Sequence, residues 1–282
     1  MKELPIGFID SGFGGLTVVK QSLKQLPNES IIYLGDSARA PYGPRSLQEV
    51  KRYIWQMTNF LREKGIKMLV IACNTGTAAA LEEIRATLAI PVVGVIHSGC
   101  RTAIKSTTGG KVGVIGTQGT INSNMYEEVM LEKADTLNIT SIACPEFVEI
   151  VESQNINSVE TLNTINERLK PLKEAGVDSL VLGCTHYPLL IDKIQQAMGP
   201  DVSLIDSGVE TINEVSTLLD YFNLSRTAEE ATITPATQVI YTTGNALEFE
   251  SFARLWLDQP ELEVDECDIK GEIIVDHNDS ES

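Results

Sequence analysis

The sequence predicts an α/β protein of two related lobes, each a mostly parallel sheet flanked by helices, with an active site in the cleft between them. Three observations predict it. Short runs rich in Val, Ile and Leu recur along the 282 residues without polar alternation, as strands covered on both faces do. Amphipathic stretches separate these runs, and strand–helix–strand order implies right-handed crossovers within a parallel sheet. Segments of the first half also reappear in the second. Met68-Leu-Val-Ile-Ala-Cys73-Asn-Thr75 matches Ser179-Leu-Val-Leu-Gly-Cys184-Thr-His186, and Gly7-Phe-Ile-Asp10-Ser11 matches Gly113-Val-Ile-Gly116-Thr117, at nearly the same offset. Such a repeat reads as a duplicated α/β unit.

Taken in order, strands are expected at Ile6–Asp10, Ile31–Asp36, Met68–Cys73, Val92–Ile96, Lys111–Gly116, Ile139–Cys144, Ser179–Cys184, Val202–Asp206 and Val239–Thr243, each bounded by Gly, Pro, Asn, Asp or Ser. Helical periodicity covers Leu47–Lys64, Thr77–Thr87 and Ser158–Ala175. Ser225–Ala236, rich in Thr, Ala and Glu, reads as a loop or weak helix. The acidic stretch over residues 266–282 reads as a tail whose last residues are disordered. A cleft between two such lobes faces the carboxyl ends of both sheets, where α/β folds bind ligands.

Composition narrows the function. Apolar residues make up 43% and charged residues 22%, ordinary values for a globular chain. The net charge of −17 repels phosphate backbones and anionic membranes, so neither nucleic acid nor membrane is an expected partner. The five cysteines are scattered, odd in number and without a CxxC pair. That favours a reducing compartment over a disulfide framework or a zinc site. The three histidines are too scattered for a metal site, and none is expected. Met1–Pro5 runs at once into a strand-like segment without the pattern of a signal peptide, and no apolar run nears the roughly 20 residues of a membrane span. The expectation is a cytoplasmic protein.

Cys73 and Cys184 are the residues most able to carry chemistry. Each ends a buried strand, and the backbone N–H groups of a following helix favour an anion there, whether thiolate or ligand carboxylate. A free thiol, with a pKa of about 8.5, is mostly protonated at neutral pH, so that help matters. A lone cysteine at a strand end is more often inert core; two at equivalent points of two halves are not so easily dismissed. Inverting a stereocentre requires removing a proton from one face and returning one to the other, and two groups on opposite walls can do so by exchanging roles. Asp10-Ser11-Gly12-Phe13-Gly14-Gly15 is a glycine-rich turn in which Asp10 could orient a neighbour and Ser11 hydrogen-bond a ligand. Ala40-Pro41-Tyr42-Gly43-Pro44 is a rigid turn at a strand's carboxyl end, a candidate rim. His186, two residues after Cys184, is a candidate acid–base group. Glu152 reads equally well as a solvated helix residue.

Together these motifs resemble the glutamate racemases of bacterial cell-wall synthesis. The matching segments are Phe8–Thr17, Ala40–Gly43, Ile71–Thr75, Val114–Ile121 and Gly183–Leu189. The resemblance implies interconversion of L- and D-glutamate with no cofactor and no metal, D-glutamate entering peptidoglycan. Cys73 and Cys184 match the two acid–base cysteines, Cys73 acting on the D- and Cys184 on the L-enantiomer. Asp10 matches the carboxylate assisting the first; Glu152 and His186 match the groups assisting the second. Asp10, Ser11, Tyr42, Gly43, Asn74, Thr75, Thr117, Thr120, Thr185 and His186 match substrate-contacting positions. A homodimer is implied. So is a division into residues 1–97 with 208–265 as the first lobe and 98–207 as the second. Residue 76 is Gly, where the family usually has Ala.

Two rival readings stand beside this one. A related racemase acting on aspartate would usually carry an acidic residue after its second Cys-Thr, where this chain has His186. A small-ligand receptor also has two α/β lobes and a cleft, but such receptors are typically exported and need no matched thiols.

Overall fold

The central strand of the first sheet, β1 (Ile6–Asp10), is buried along its whole length. It pairs in parallel with β2 (Ile31–Gly35) on one side and β3 (Met68–Ile71) on the other. Alternate side chains serve opposite faces. Ile9, Leu34 and Ile71 join a core formed with the helix Leu47–Lys64. Phe8, Tyr33 and Val70 join another, formed with the helices Leu16–Gln25, Ser207–Tyr221 and Ala246–Leu257. Both faces being covered, the strand has no polar side to show, and its sequence does not alternate.

The structure is a computed structural model, and it describes residues 1–277. The remaining strands are β4 (Val92–Gly94), β5 (Lys111–Gly116), β6 (Asn138–Ala143), β7 (Ser179–Gly183), β8 (Ser203–Asp206), β9 (Gln238–Thr242), β10 (Asp265–Lys270) and β11 (Ile273–Asp276). One sheet runs β11-β10-β9-β2-β1-β3-β4, the other β6-β5-β7-β8. The order β2-β1-β3-β4 repeats as β6-β5-β7-β8, so the internal repeat in the sequence is a repeat of topology. Every pairing is parallel except β10 with β11. The expected crossing points fall within the helix Val95–Ser106 and at the start of Ser207–Tyr221. These helices are tied by Ser98, whose hydroxyl donates to Glu214 at 2.6 Å, and by the Arg101–Glu214 ion pair. No helix among the described residues is long and apolar enough to cross a membrane.

One expectation needs correction. Residues 266–276 are not a tail: β10 pairs with β9, and β11 folds back on β10 through a turn in which Gly271 has φ +63°. Cys267 and Ile274 are buried in the first lobe's core, with Ile269 packed against it. Glu266 and Asp268 take the intervening positions and Glu272 the turn. Their charge masked a period-two apolar pattern, the signature of a strand. Residues 278–282, where disorder is expected, lie outside the described residues. The stretch 225–236 contains a short helix, Ala228–Ile233, started by a capping box between Thr227 and Glu230.

Candidate active site

The carboxyl ends of both sheets open onto one small cavity of about 30 Å³. From the first lobe, Ser11, Gly12, Ala40, Pro41, Tyr42, Gly43, Cys73, Asn74 and Thr75 line it; from the second, Thr117, Val148, Glu152, Cys184, Thr185 and His186 do. Two residues expected at the substrate stand one layer back. Asp10 lies under the glycine turn, and Thr120 bonds Thr75 and Thr117 through their hydroxyls at 3.2 and 3.0 Å.

The two cysteines are supported differently. Cys73 caps the helix Asn74–Thr87, and its sulfur accepts the Gly76 N–H at 3.3 Å. Its thiol faces the Ser11 hydroxyl at 3.8 Å. Burial, then the negative charge of Asp10, push the thiol up to about 12 despite that N–H, so Cys73 holds its proton at neutral pH. A Cβ at Gly76 would come within 2.6 Å of Ile54 Cδ1, so the glycine leaves room for that side chain.

Cys184 does not cap a helix as expected. The chain passes into a 3₁₀ turn, Tyr187–Leu190, which contains Pro188. The partner of its sulfur is Nδ1 of His186 at 3.8 Å, and Nε2 of that ring lies 3.0 Å from Oε1 of Glu152. Burial works against the imidazolium, but Cys184 and Glu152 outweigh it and push His186 up to about 10. The second wall therefore carries a protonated imidazole.

Asp10 is wholly buried. Its Oδ2 accepts N–H bonds from Gly12 at 3.1 Å and Gly15 at 3.0 Å, while Oδ1 has no partner among the described residues. Burial raises its pKa, against His186 and the backbone donors of Gly15, Gly12 and Ser11. Asn74 Oδ1 accepts from the Tyr126 hydroxyl of the opposite lobe at 2.7 Å, and its buried Nδ2 has no partner among the described residues. These two orphan atoms, one in the cavity wall and one a layer behind it, are unusual, since buried polar groups are normally paired.

Close contacts hold the lobes together. Thr17 donates to the Thr185 carbonyl at 3.0 Å, the Gly119 N–H to the Gly43 carbonyl at 2.8 Å, and the Thr75 and Thr117 hydroxyls meet at 2.8 Å. A Cβ at Gly14 would lie 2.2 Å from Thr185 Oγ1 and 2.6 Å from His186 Nδ1, so only glycine permits this approach. The turn carrying Tyr42 and Gly43 rests on Asp36, which is bonded by the Tyr42 hydroxyl, by Arg39 Nε at 2.7 Å and by Thr243 at 2.6 Å.

Sequence reasoning missed Val148, Tyr126 and Gly14 as parts of the site. Only Gly14 left a signal, as one of three glycines within four residues. The profile of the Asp/Glu/Hydantoin racemase family matches residues 6–215. The chain belongs to this family. It is 53% identical to a glutamate racemase of Carnobacterium sp. (strain St2) over 94% of this chain and 98% of that one. Among solved structures it resembles a glutamate racemase of Bacillus anthracis, with TM-score 0.89, 41% identity and coverage of 97% of this chain and 100% of that one. It also resembles a glutamate racemase of Francisella tularensis in complex with D-glutamate, with TM-score 0.86, 33% identity and coverage of 96% and 99%. The racemase fold expected from the motifs is thus the fold of the family.

Proposed function

We propose that this chain interconverts L- and D-glutamate with Cys184 and Cys73 as the two bases, supplying D-glutamate for peptidoglycan. One observation carries the reading. Two buried thiols from equivalent strand ends of two repeated lobes line a single cavity, each with its own proton-handling neighbours. Relatives that are glutamate racemases over nearly their whole length support the choice of substrate.

In the L-to-D direction, the Cys184 thiolate takes the Cα proton, and its electron pair stays on the substrate as a planar carbanion. The Cys73 thiol then delivers its proton to the opposite face, leaving Cys73 as the thiolate. The D-to-L direction runs the same steps backwards. His186, held by Glu152, manages charge at Cys184, and Asp10 does so at Cys73. Hydroxyls of Ser11, Thr75, Thr117 and Thr185, with Asn74 and the N–H groups of its helix, hold the carboxylates. None of the described residues lining the cavity is Lys or Arg, so neutral donors and the imidazolium do this work from buried positions, where charge is screened less than in water. On this reading the enzyme needs no cofactor, works in the cytoplasm as a homodimer, and opens by moving residues 1–97 and 208–277 against 98–207.

The test is Cα proton exchange in D₂O with each enantiomer and no added cofactor. Deuterium is expected in the product from both. Cys73→Ala and Cys184→Ala should each lower racemisation by about 10²–10⁴-fold in a folded protein. Exchange with aspartate and not glutamate would replace the substrate, and full activity in a folded Cys184→Ala protein would end the two-base proposal.

A further inference from the structure

The indole of Trp256 meets the imidazole of His186 edge to face, with ring centroids 6.3 Å apart and planes at 89°. Trp256 belongs to the helix Ala246–Leu257 of the first lobe, whereas His186 follows β7 of the second. The indole packs against the apolar cores of both lobes. Its neighbours continue an aromatic row back to the glycine turn: Phe252 at 5.6 Å, then Phe13 beside Phe252 at 4.5 Å. Gly14, next along, also packs against the ring: a Cβ there would lie 2.6 Å from His186 Nδ1 and 2.8 Å from its Cε1.

An imidazole needs such a frame. Rotation about its Cβ–Cγ bond is broad and roughly two-fold, and a flipped ring would present carbon where nitrogen is required. The charged or titratable groups facing the ring are Cys184, Glu152 and Asp10. Glu152 is bonded through one oxygen and its side chain is 39% exposed, so it cannot fix the ring plane alone. On the helix of Trp256, Arg254 is engaged by Glu250 at 2.6 Å and by the Leu262 carbonyl at 2.9 Å. Glu248 lines a groove that shares Glu152 with the cavity.

We infer that Trp256 is a positioning residue for His186: it fixes the imidazole plane so that Nδ1 faces Cys184 while Nε2 faces Glu152. Because the indole is rooted in both cores, this alignment depends on the lobes being closed. The inference rests on the proposed racemase reading for its rate measurements only.

Two measurements test it, using Trp256→Leu, which keeps an apolar side chain without the ring, and Trp256→Phe, which restores an aromatic edge. The first is NMR of the imidazole C–H groups without substrate. The chain has three histidines, and the His186 signal is the one lost in His186→Asn. It should shift and broaden in Trp256→Leu and return towards its original place in Trp256→Phe. The second is the primary isotope effect on racemisation. Trp256→Leu should lower kcat by about tenfold, with a larger isotope effect from Cα-deuterated L-glutamate and a smaller one from Cα-deuterated D-glutamate, as the Cys184 step becomes more limiting. Trp256→Phe should recover most of the rate. An unmoved His186 signal in folded Trp256→Leu, or equal loss in both directions with unchanged isotope effects, would overturn the inference. A parent protein that fails to racemise glutamate would instead sink the functional reading, and the NMR comparison would still decide whether Trp256 sets the ring.

Discussion

The carboxylate of Glu152 lies 3.0 Å from Nε2 of His186, which leaves Nδ1 of the same ring facing the sulfur of Cys184 at 3.8 Å. Carboxylate, imidazole and thiol thus form a line ending at the cavity. Replacing His186 by Asn should lower kcat by about 10²-fold, because Cys184 loses the ring nitrogen that faces its sulfur. Steady-state rates from both enantiomers check this, and the equilibrium constant must stay unchanged. A rate within twofold of the parent would remove His186 from the mechanism.

Gly14 is predicted to be replaceable only at the expense of closure. Its missing Cβ is where Thr185 Oγ1 and His186 Nδ1 sit, at 2.2 and 2.6 Å. Gly14→Ala must push the lobes apart or displace the imidazole. We expect kcat/KM to fall by about 10²-fold with thermal stability nearly unchanged, since the clash falls between lobes. Kinetics alongside a thermal melt separate these quantities, and unimpaired kinetics would show that the approach is dispensable.

Asp10 should stabilise the protein when its charge is removed. Its folded-state pKa is raised chiefly by burial, so the carboxylate form costs stability at any pH above that value. The cost fades as pH falls through the folded value towards the unfolded value near 3.8. Asp10→Asn should therefore raise Tm at pH 7 by roughly 2–4 °C, and the gain should vanish as pH approaches 4. Activity should fall in the same variant, the usual relation between a strained site and stability. Melts from pH 4 to 8 decide it; a lower Tm at pH 7 would contradict the prediction.

The hairpin β10–β11 should prove integral. It buries Cys267 and Ile274, and Glu272 in its turn accepts from Gln56 at 3.0 Å. Gln56 in turn accepts from Arg39 at 2.5 Å, and Arg39 bonds the Asp36 that supports Tyr42. Ending the chain before Asp265 should lower stability by about 3 kcal/mol or more, from the lost apolar burial alone. Denaturant unfolding of the shortened chain measures this, and stability equal to the parent's would return residues 265–276 to the status of a tail.

Much of the site was legible in the sequence because the features that build it are local. A buried strand ending in Cys, followed by Asn-Thr or Thr-His, places a side chain at a sheet's carboxyl end whatever lies around it. Asp10 and the glycines after it form a turn through their own backbone freedom. The repeated order of the two sheets follows from hydrophobic runs that any reader can align. The hairpin was misread because its charges, Asp265, Glu266, Asp268 and Glu272, outweighed the alternation of Cys267, Ile269 and Ile274.

What the sequence determined by itself was the α/β class, the internal repeat and the two matched cysteines, since each is carried by short local segments that can be compared without knowing the fold. What only the tertiary structure decided was how each cysteine is served. Glu152 meets His186 from 34 positions away, and Trp256 reaches that ring from the other lobe. Burial, not residue type, is what pushes the Cys73 thiol up. Distances through space and exclusion of water arise only when the lobes pack, and no short-range pattern encodes them.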